Sequence, residues 1–372
     1  MTRATSTRLA DGRELIYFDD GGTAKAHSTV DTRPLDTRSE EHTGELRFDA
    51  LTGDWVAIAA HRQTRTYLPP ADQCPLCPTT GNNRSEIPAA DYDVAVFENR
   101  FPSLGPAVGA IPESPVWGTK GRAFGRCEVV AFTPEHMGSF GGLSTERART
   151  VIDAWAHRTE ALSALPGVKQ VFPFENRGQD IGVTLHHPHG QIYAYSYVPP
   201  RSQVMASAAR KFYDQHNGEA TLLGDIVANE SASGERMVAQ GKHFSAYVPF
   251  AAHMPLEIHL TPHRHVPDFA ALNDEERDEL AVMYLDLLRA VDNIYDTPTP
   301  YIAAWHQAPL DPFLRPAGRF HLELTSPRRA ADKLKFLAGS EAAMGAFIND
   351  TTPEQTAAML RGTPSTPKAG LA

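Results

Sequence analysis

The sequence predicts an α+β protein built from two related units around largely antiparallel sheets. Two segments about 130 residues apart share one order of elements: a strand ending in Thr-Pro, an amphipathic helix, and two further strands. The two Thr-Pro pairs begin at Thr133 and Thr261. Because helices do not alternate strictly with strands, an antiparallel arrangement is favoured over a doubly wound parallel sheet.

Each copy of the repeat contains one long helix with an apolar face. The first helix is predicted to begin near Ser144 and the second near Asn273, where Glu276 provides a capping partner. Apolar residues recur at helical spacing in both segments, which indicates that one side of each helix packs on a sheet. These residues are Ala148, Val151, Ile152, Trp155 and Leu162 in the first helix, and Leu280, Met283, Tyr284, Leu287 and Val291 in the second.

Composition along the chain predicts where the folded units begin and end. Residues 1–43 are rich in Thr, Arg, Asp and Gly with little periodicity, which predicts a flexible N-terminal arm with one short hairpin near Leu15 to Phe18. Apolar residues on both sides of Thr52-Gly53-Asp54 predict the first ordered hairpin. The expected units are 44–200, with a metal and a nucleophile, and 201–362, followed by a tail at 363–372.

Charge and cysteine content narrow the possible partners and compartments. A formal net charge of -10 disfavours binding to a nucleic-acid backbone, although a local group of Arg residues can still bind a nucleotide. Three cysteines in 372 residues do not form a disulfide scaffold. The sequence lacks a recognisable signal peptide and an apolar run of membrane-spanning length. These features predict a soluble cytoplasmic protein with no membrane partner.

Cys74 and Cys77 have the Cys-x-x-Cys spacing of a metal-binding turn. Two thiolates at this spacing can meet one tetrahedral ion, and any further ligands must be His or carboxylate because no second such pair follows. His136 and His187 are the candidates. Two thiols without a ligand remain the alternative.

Three histidines in four residues, at His186, His187 and His189, precede Gly190 and Gln191. An imidazole whose Nδ1 is held by a hydrogen bond can attack phosphorus through Nε2. Gly190 would let the backbone approach a phosphate, and Gln191 could donate to phosphoryl oxygens without carrying charge. By itself the cluster is compatible with either a nucleophile or a metal ligand.

Several motifs together resemble the galactose-1-phosphate uridylyltransferase family of the histidine-triad superfamily. They are His187-Pro188-His189-Gly190-Gln191, Cys74-Pro75-Leu76-Cys77, Thr133-Pro134-Glu135-His136 and Phe174-Glu175-Asn176-Arg177-Gly178. The resemblance implies two related α+β units in an open half-barrel with flanking helices, usually as a homodimer. It also implies transfer of UMP from UDP-glucose to galactose 1-phosphate, which yields UDP-galactose and glucose 1-phosphate.

The resemblance assigns roles to individual positions. His189 matches the nucleophile that becomes uridylylated, and Gln191 matches the glutamine that replaces the last histidine of the triad. A structural zinc is expected on Cys74, Cys77, His136 and His187. Substrate contacts are expected from Arg62, Arg65, Asn99, Asn176, Gly182, Thr184, Gln191, Lys335, Phe336 and Glu341. At the phosphate contact, Thr184 stands where the family usually has serine. In the late segment that contacts the hexose, Ser340 stands where the family has a tyrosine, so sugar recognition departs from the family's pattern.

The second metal site of the family is altered in this sequence. His306 and His321 match two of its histidines, whereas Glu323 stands at the third and Met205 replaces its glutamate. Because a thioether is a poor ligand for zinc or iron in such a site, we expect the second site to be empty or weak.

Two other functions are compatible with the same motifs. One is another nucleotidylyltransferase or phosphorylase of the histidine-triad superfamily, acting on an ADP-sugar or a dinucleoside polyphosphate. The other is a zinc-stabilised nucleotide-binding protein without catalytic activity. A comparison of nucleotide donors separates the first, and simple turnover excludes the second.

Overall fold

An open antiparallel sheet of eleven strands organises the computed structural model, which describes residues 2–21, 25–27, 30–33, 44–64, 68–80, 85–106 and 113–367. The strand order is β1-β2-β5-β7-β9-β8-β13-β14-β12-β11-β10. These strands are β1 (Arg3–Arg8), β2 (Glu14–Asp19), β5 (Val94–Glu98), β7 (Gly125–Ala131), β8 (Gln170–Arg177), β9 (His189–Tyr195), β10 (Met237–Gln240), β11 (Phe244–Tyr247), β12 (Leu256–Pro262), β13 (Tyr301–His306) and β14 (His321–Ser326). The predicted α+β class with antiparallel strands is confirmed.

Two smaller sheets and five helices complete the described fold. The predicted hairpin around Gly53 forms β3 (Glu45–Asp49) and β4 (Asp54–Ile58), joined by β6 (Lys120–Arg122) in a three-stranded sheet. Strands β15 (Arg328–Ala330) and β16 (Lys333–Leu334) form a short pair. The helices are α1 (Thr145–Ser163), α2 (Pro200–Gln215), α3 (Leu222–Ser233), α4 (Asp274–Asn293) and α5 (Pro353–Arg361). Within the described ranges, no helix combines the length and apolar character needed to cross a bilayer.

The repeat predicted from the sequence appears in the sheet as two matching halves. Strands β7, β9 and β8 lie in mirrored order to β12, β14 and β13, and the halves join where β8 pairs with β13. Each half places its long helix between the first strand and the other two along the chain. Both helices begin with the expected caps: Ser144 accepts from the Arg147 amide, and Asn273 forms a reciprocal capping box with Glu276.

The helices cover one face of the sheet, and the opposite face is left for polar chemistry. On β9 the exposure alternates strictly, so Gly190, Ile192 and Ala194 are buried beneath the helices. His189, Gln191 and Tyr193 therefore point to the other face. Trp155 of α1 and Trp305 of β13 meet in the shared core, with ring centroids 5.7 Å apart, and fix the two halves against each other.

Residues 3–19 of the predicted arm form an ordered hairpin, which includes the expected one near Leu15 to Phe18. Strand β1 pairs with β2, and β2 pairs with β5 in the large sheet. Leu15 and Tyr17 are buried, and the buried Arg13 donates to the Glu98 carbonyl at 2.9 Å. The contact with β5 lies about 80 residues away in sequence, so the polar composition of this segment did not indicate that it joins the sheet. Residues 34–43 of the predicted arm lie outside the described residues.

The predicted C-terminal tail makes specific contacts before the described chain ends. The Asn293 side chain donates to the carbonyls of Pro364 and Thr366, at 2.9 and 2.8 Å. The end of α4 therefore holds this part of the tail. The boundary between the two units near residue 200 stays a prediction, because the large sheet continues through both.

A buried carboxyl group lies at the junction of the two halves. Glu175 of β8 is opposite Ala303 of β13, and its side chain accepts hydrogen bonds from Tyr301 at 2.9 Å and Tyr284 at 3.3 Å. Burial raises the pKa of Glu175 to about 7, more than the two hydroxyl donors lower it. The folded protein therefore holds this group protonated at pH values where the unfolded chain has released the proton.

We expect Glu175→Gln to remove a pH-dependent loss of stability. A carboxyl whose pKa is raised by folding does not reduce the free energy of unfolding below the unfolded-state pKa of about 4.3. The loss of stability grows as pH rises from there to about 7. The full cost is on the order of 3 kcal/mol. The free energy of unfolding of both proteins is measured with urea from pH 5 to pH 8. The value for the variant should rise relative to that of the native protein as pH increases, and the difference should become constant above pH 7. A difference that stays constant with pH would contradict the assignment.

Candidate active site

His189 is the first residue of β9, on the sheet face that the helices leave uncovered. Its Nδ1 donates to the backbone carbonyl of His187 at 2.7 Å. Burial lowers the pKa of His189 from its ordinary value, so the ring is neutral at pH 7 with its proton on Nδ1. The lone pair is then on Nε2, which no described residue engages by a hydrogen bond. The imidazole is in the form that a nucleophile requires.

Packing requires a glycine at position 190. A Cβ at this position would lie 2.8 Å from the Phe132 ring and 2.9 Å from the Phe174 carbonyl oxygen. The expected approach of the Gly190 backbone to a phosphate stays a prediction. The glycine lets β9 lie close against Phe132 and β8, which sets the position of His189 one residue earlier.

A cavity of about 130 Å³ opens beside His189 and Gln191. Gln191 lies on β9 opposite Val129 of β7 and Phe174 of β8, so its amide position is set by two neighbouring strands. Arg62 reaches the same cavity from a 3-10 turn at Ala60–Thr64, and its Nη1 donates to the Tyr193 hydroxyl at 3.4 Å. The cavity therefore combines a neutral imidazole, an amide and a guanidinium.

Asn99 and Thr184 also line this cavity. The Asn99 side-chain oxygen accepts from the Phe101 amide at 2.8 Å, and this local turn leaves its amide nitrogen free to donate. The carbonyl of Thr184 accepts from the Leu68 amide at 2.8 Å, which links the loop before β9 to the loop after Arg62. Both predicted positions are thus brought to the nucleophile.

Cys74, Cys77, His136 and His187 converge on one point. Their ligand atoms all lie within 4.8 Å of one another. The Cys77 sulfur is 3.5 Å from Nδ1 of both His136 and His187, and the Cys74 sulfur is 3.8 Å from Nδ1 of His187. Zinc bonds of about 2.3 Å to sulfur and about 2.0 Å to nitrogen make a tetrahedral edge of roughly 3.5 Å. The spacing and chemistry of these donors fit one tetrahedral metal ion.

Hydrogen bonds behind the cluster orient its ligands. His187 Nε2 donates to the Thr133 carbonyl at 2.7 Å, which leaves Nδ1 free to bind a metal. The Tyr92 hydroxyl donates to the Thr133 and Leu76 carbonyls, at 2.7 and 2.8 Å. Burial lowers the pKa of His187 to about 4, so this ring remains a neutral ligand.

The Cys77 thiol of the cluster needs a nearby cation to ionise. Burial, and then the charge of Cys74, raise the pKa of Cys77 to about 12. Two buried thiolates side by side would repel each other, whereas a bound divalent ion stabilises both. The third cysteine, Cys127, is buried on β7 at a distance from this group, with its sulfur 3.6 Å from the Ser103 hydroxyl.

The other predicted nucleotide contacts are Arg65, Asn176 and Gly182. Arg65 lies outside the described residues. Asn176 follows Phe174 by two residues on β8, so it shares the sheet face of Gln191, and Gly182 has the left-handed φ of 84° that favours glycine. Neither is among the residues that line the cavity, and their contacts with substrate stay predictions.

The segment around Lys335 is placed away from the cavity. Lys335 Nζ pairs with Glu341 Oε1 at 3.0 Å, while the Phe336 side chain is exposed. None of these three residues lines the cavity beside His189 within this chain. Their predicted role in hexose recognition stays a prediction.

Sequence reasoning missed two charged residues at the cavity. Glu86 and Arg100 both line it, with 3.7 Å between Arg100 Nη1 and Glu86 Oε1, and the buried Arg13 also pairs with Glu86. Arg100 follows the predicted Asn99 directly, which is a signal that could have been used. Glu86 belongs to none of the motifs in the sequence and has no comparable signal.

The residues of the expected second metal site also meet. His306 Nε2 is 3.3 Å and His321 Nε2 is 3.6 Å from the Glu323 carboxylate. His259 of β12, which the sequence reasoning did not include, lies 4.0 Å from the same carboxylate. They line a separate cavity of about 710 Å³, which Met205 of α2 also borders.

Comparison with known proteins gives a consistent result over the whole chain. Residues 34–199 match the family described as galactose-1-phosphate uridyl transferase, N-terminal domain, and residues 206–369 match the C-terminal domain of the same enzyme. A galactose-1-phosphate uridylyltransferase of Streptomyces lividans is 45% identical over 370 residues, covering 90% of this chain and 98% of the relative. One from Thermotoga maritima is 37% identical, covering 86% and 98%.

Solved structures share this fold. A uridylyltransferase structure superposes with a TM-score of 0.75 at 31% identity, covering 86% of this chain and 97% of the other. An ADP-glucose phosphorylase of Arabidopsis thaliana gives a TM-score of 0.63 at 21% identity, covering 86% and 98%. At that identity the second similarity concerns the fold alone.

Proposed function

The chain belongs to the galactose-1-phosphate uridylyltransferase family, and from that membership we propose that it transfers UMP from UDP-glucose to galactose 1-phosphate through a uridylyl group on His189. The products are UDP-galactose and glucose 1-phosphate, as galactose catabolism requires. One observation carries the residue assignment: His189 faces the cavity with Nδ1 bound to the His187 carbonyl. That hydrogen bond favours attack through Nε2.

In the first half-reaction, the Nε2 lone pair of His189 attacks the α-phosphorus of UDP-glucose in line. The bond from that phosphorus to the bridging oxygen breaks, and its electron pair leaves with glucose 1-phosphate. The proton on Nδ1 stays bonded to the His187 carbonyl, which supports the positive charge that the ring acquires. Neutral starting imidazole means that no separate base is needed.

In the second half-reaction, a phosphate oxygen of galactose 1-phosphate attacks the same phosphorus and displaces Nε2. The two steps return His189 to its starting form with no net proton transfer. Because donor and acceptor use one site in turn, the kinetics are ping-pong. Glucose 1-phosphate, which leaves, and galactose 1-phosphate, which enters, are similar in size and charge. One cavity can therefore bind both in turn.

Arg62 and Gln191 are proposed to bind the phosphoryl oxygens. A guanidinium offers two parallel donors to phosphate, and charge stabilisation is the main contribution a protein makes to phosphoryl transfer. Gln191 donates from its amide but cannot protonate a leaving group or activate water as an acid or base. This favours transfer to a sugar phosphate over hydrolysis. Arg65, Asn99, Asn176, Gly182 and Thr184 are the further proposed nucleotide contacts, and Lys335, Phe336 and Glu341 the proposed hexose contacts.

Cys74, Cys77, His136 and His187 are proposed to hold a structural Zn²⁺. Four protein ligands complete a tetrahedron and leave no position for water or substrate. Bound zinc would cross-link the loop at 74–77 to the end of β7 and to the residue two positions before the nucleophile. The support is the spacing of the donors and the tautomer of His187.

A homodimer in the cytoplasm is proposed on the family resemblance and on the cysteine chemistry. A Cys pair binds zinc only while it stays reduced, which a reducing compartment ensures. An enzyme acting on an ADP-sugar or a dinucleoside polyphosphate remains the alternative activity, since related folds carry such chemistry. Turnover measured with UDP-glucose, ADP-glucose and diadenosine polyphosphates separates these substrates.

We expect His189→Asn to abolish both the covalent intermediate and the exchange reaction. Asparagine can still donate to the His187 carbonyl but offers no nucleophilic nitrogen, so activity should fall by about 10³-fold or more. Incubation with uracil-labelled UDP-glucose should leave acid-labile, base-stable label on His189 of the native protein. His186→Asn, which changes an exposed neighbour, is the matched control and should keep the label. If the native protein is folded but carries no label after this incubation, the mechanism is refuted.

Zinc content gives an independent prediction. Cys77→Ala should lose the zinc and melt at a lower temperature, because three ligands bind a structural ion more weakly and the loop loses its cross-link. Cys127→Ala is the control, since this cysteine lies outside the cluster, and it should retain one zinc. Elemental analysis of the purified proteins measures both. Equal zinc in the native protein and the Cys77 variant would contradict the assigned ligands.

A further inference from the structure

The second half of the sheet contains a counterpart of the nucleophile. His321 is the first residue of β14, as His189 is of β9, and the two strands occupy matching places in the halves. His321 Nδ1 bonds to the carbonyl of Arg319, two residues earlier, at 3.1 Å, just as His189 Nδ1 bonds to that of His187 at 2.7 Å. The second half therefore holds its imidazole by the same Nδ1 contact, whereas its Nε2 faces the Glu323 carboxylate.

What faces that imidazole differs between the halves. Glu323 takes the position of Gln191, so an anionic carboxylate replaces a neutral amide. The carboxylate is almost fully buried, with Nε2 of His306 and His321 at 3.3 and 3.6 Å. A negative charge here would repel a phosphate, which excludes this end of the sheet as a second site for nucleotidyl transfer. It would instead attract a cation.

A positively charged side chain, that of Arg201, already lies against the Glu323 carboxylate. Arg201 Nη2 donates to Glu323 Oε2 at 2.6 Å, and this is the carboxylate oxygen that faces His306. Arg201 begins α2, and Met205 lies one helical turn further on. A divalent ion bound between Glu323 and His306 would have to displace the guanidinium or lie beside its positive charge.

The residues do not fit the second metal ion that the family resemblance implies. Met205 offers only a thioether where a carboxylate would be needed. Among the described residues, the group whose ligand atoms all lie within 4.8 Å of one another is the Cys74 cluster, and the residues around Glu323 do not form one. His259 is already bonded to Glu257, at 3.2 Å.

We propose that Arg201 is the resident cation of the second half, neutralising Glu323 in place of a metal ion. The ion pair ties the start of α2 to the end of the sheet by charge complementarity. It also leaves the protein with one metal ion per chain, at the Cys74 cluster. The proposal concerns the second half alone and does not depend on the transfer reaction.

Removal of the guanidinium should convert the cluster into a metal site. Without Arg201, whose side chain is 53% exposed, the buried Glu323 carboxylate keeps the imidazoles of His306 and His321 as its nearest partners. The imidazoles of His306 and His321 then face the Glu323 carboxylate without the guanidinium, and these are donors that suit Zn²⁺ or Co²⁺ once small side-chain movements bring them together. A divalent ion would restore the missing charge.

The experiment compares metal stoichiometry in full-length proteins. The native protein, Arg201→Ala and Arg201→Gln are loaded with Zn²⁺, freed of excess ion by gel filtration, and analysed for zinc per chain. We expect both Arg201 variants to hold one ion more than the native protein, and added Zn²⁺ to raise their melting temperatures by several degrees. Arg210→Ala is the matched control, because Arg210 also lies on α2 and pairs with a carboxylate, Asp214, at the surface. It should show no gain.

Cobalt identifies which site binds the additional ion. Co²⁺ at the Cys74 cluster gives a sulfur-to-metal charge-transfer band, whereas a histidine and carboxylate site adds only weak visible bands. The additional ion in the Arg201 variants should therefore leave the charge-transfer band unchanged. Two ions in the native protein would overturn the proposal. A folded Arg201→Ala and a folded Arg201→Gln that both match the native stoichiometry would overturn it equally.

Discussion

The hydrogen bond from His189 Nδ1 to the His187 carbonyl joins the chemistry of the protein to its architecture. It fixes the tautomer of the proposed nucleophile, and its acceptor belongs to a residue whose side chain lies in the Cys74 cluster, the proposed zinc site. His187 is in turn held through Nε2 by the Thr133 carbonyl at the end of β7. Nucleophile, cluster and sheet are thus linked by backbone groups over a few residues. A shift in any one of them would move Nε2 relative to the cavity.

The two halves of the sheet show how one structural unit serves different ends. Both present an imidazole at the start of the central strand, with Nδ1 bound to the carbonyl two residues before it. Gln191, two residues after His189, is neutral. Glu323, two residues after His321, is paired with Arg201. The two halves therefore carry different charge at matching positions.

Much of this site was predictable because its residues are close in sequence or occur in short motifs. The Cys74-x-x-Cys77 pair and the His187-Pro188-His189-Gly190-Gln191 run carry recognisable chemistry, and the helix starts at Ser144 and Asn273 follow local capping rules. The mirrored halves follow from the repeat. The histidine motif by itself was compatible with ligand and nucleophile for both His187 and His189. The structure places His187 in the Cys74 cluster and His189 at the cavity.

The features that escaped prediction depend on distant contacts. Residues 3–19 form two strands because β5 provides a partner, not because of their own composition. Gly190 is needed by a ring from β7 and a carbonyl from β8. Arg201 meets Glu323 across 122 positions of sequence, and neither residue signals the other. Such pairings arise from the topology of the sheet, which local patterns do not encode.

The central claim is that His189 Nε2 carries the uridylyl group between two separate half-reactions. It is tested most directly by isotope exchange in the absence of galactose 1-phosphate. The protein is incubated with unlabelled UDP-glucose and labelled glucose 1-phosphate, and the label in UDP-glucose is measured. The account predicts exchange at a rate comparable to turnover, because the first half-reaction is reversible by itself. Exchange that begins only after galactose 1-phosphate is added would contradict a covalent intermediate and indicate direct transfer.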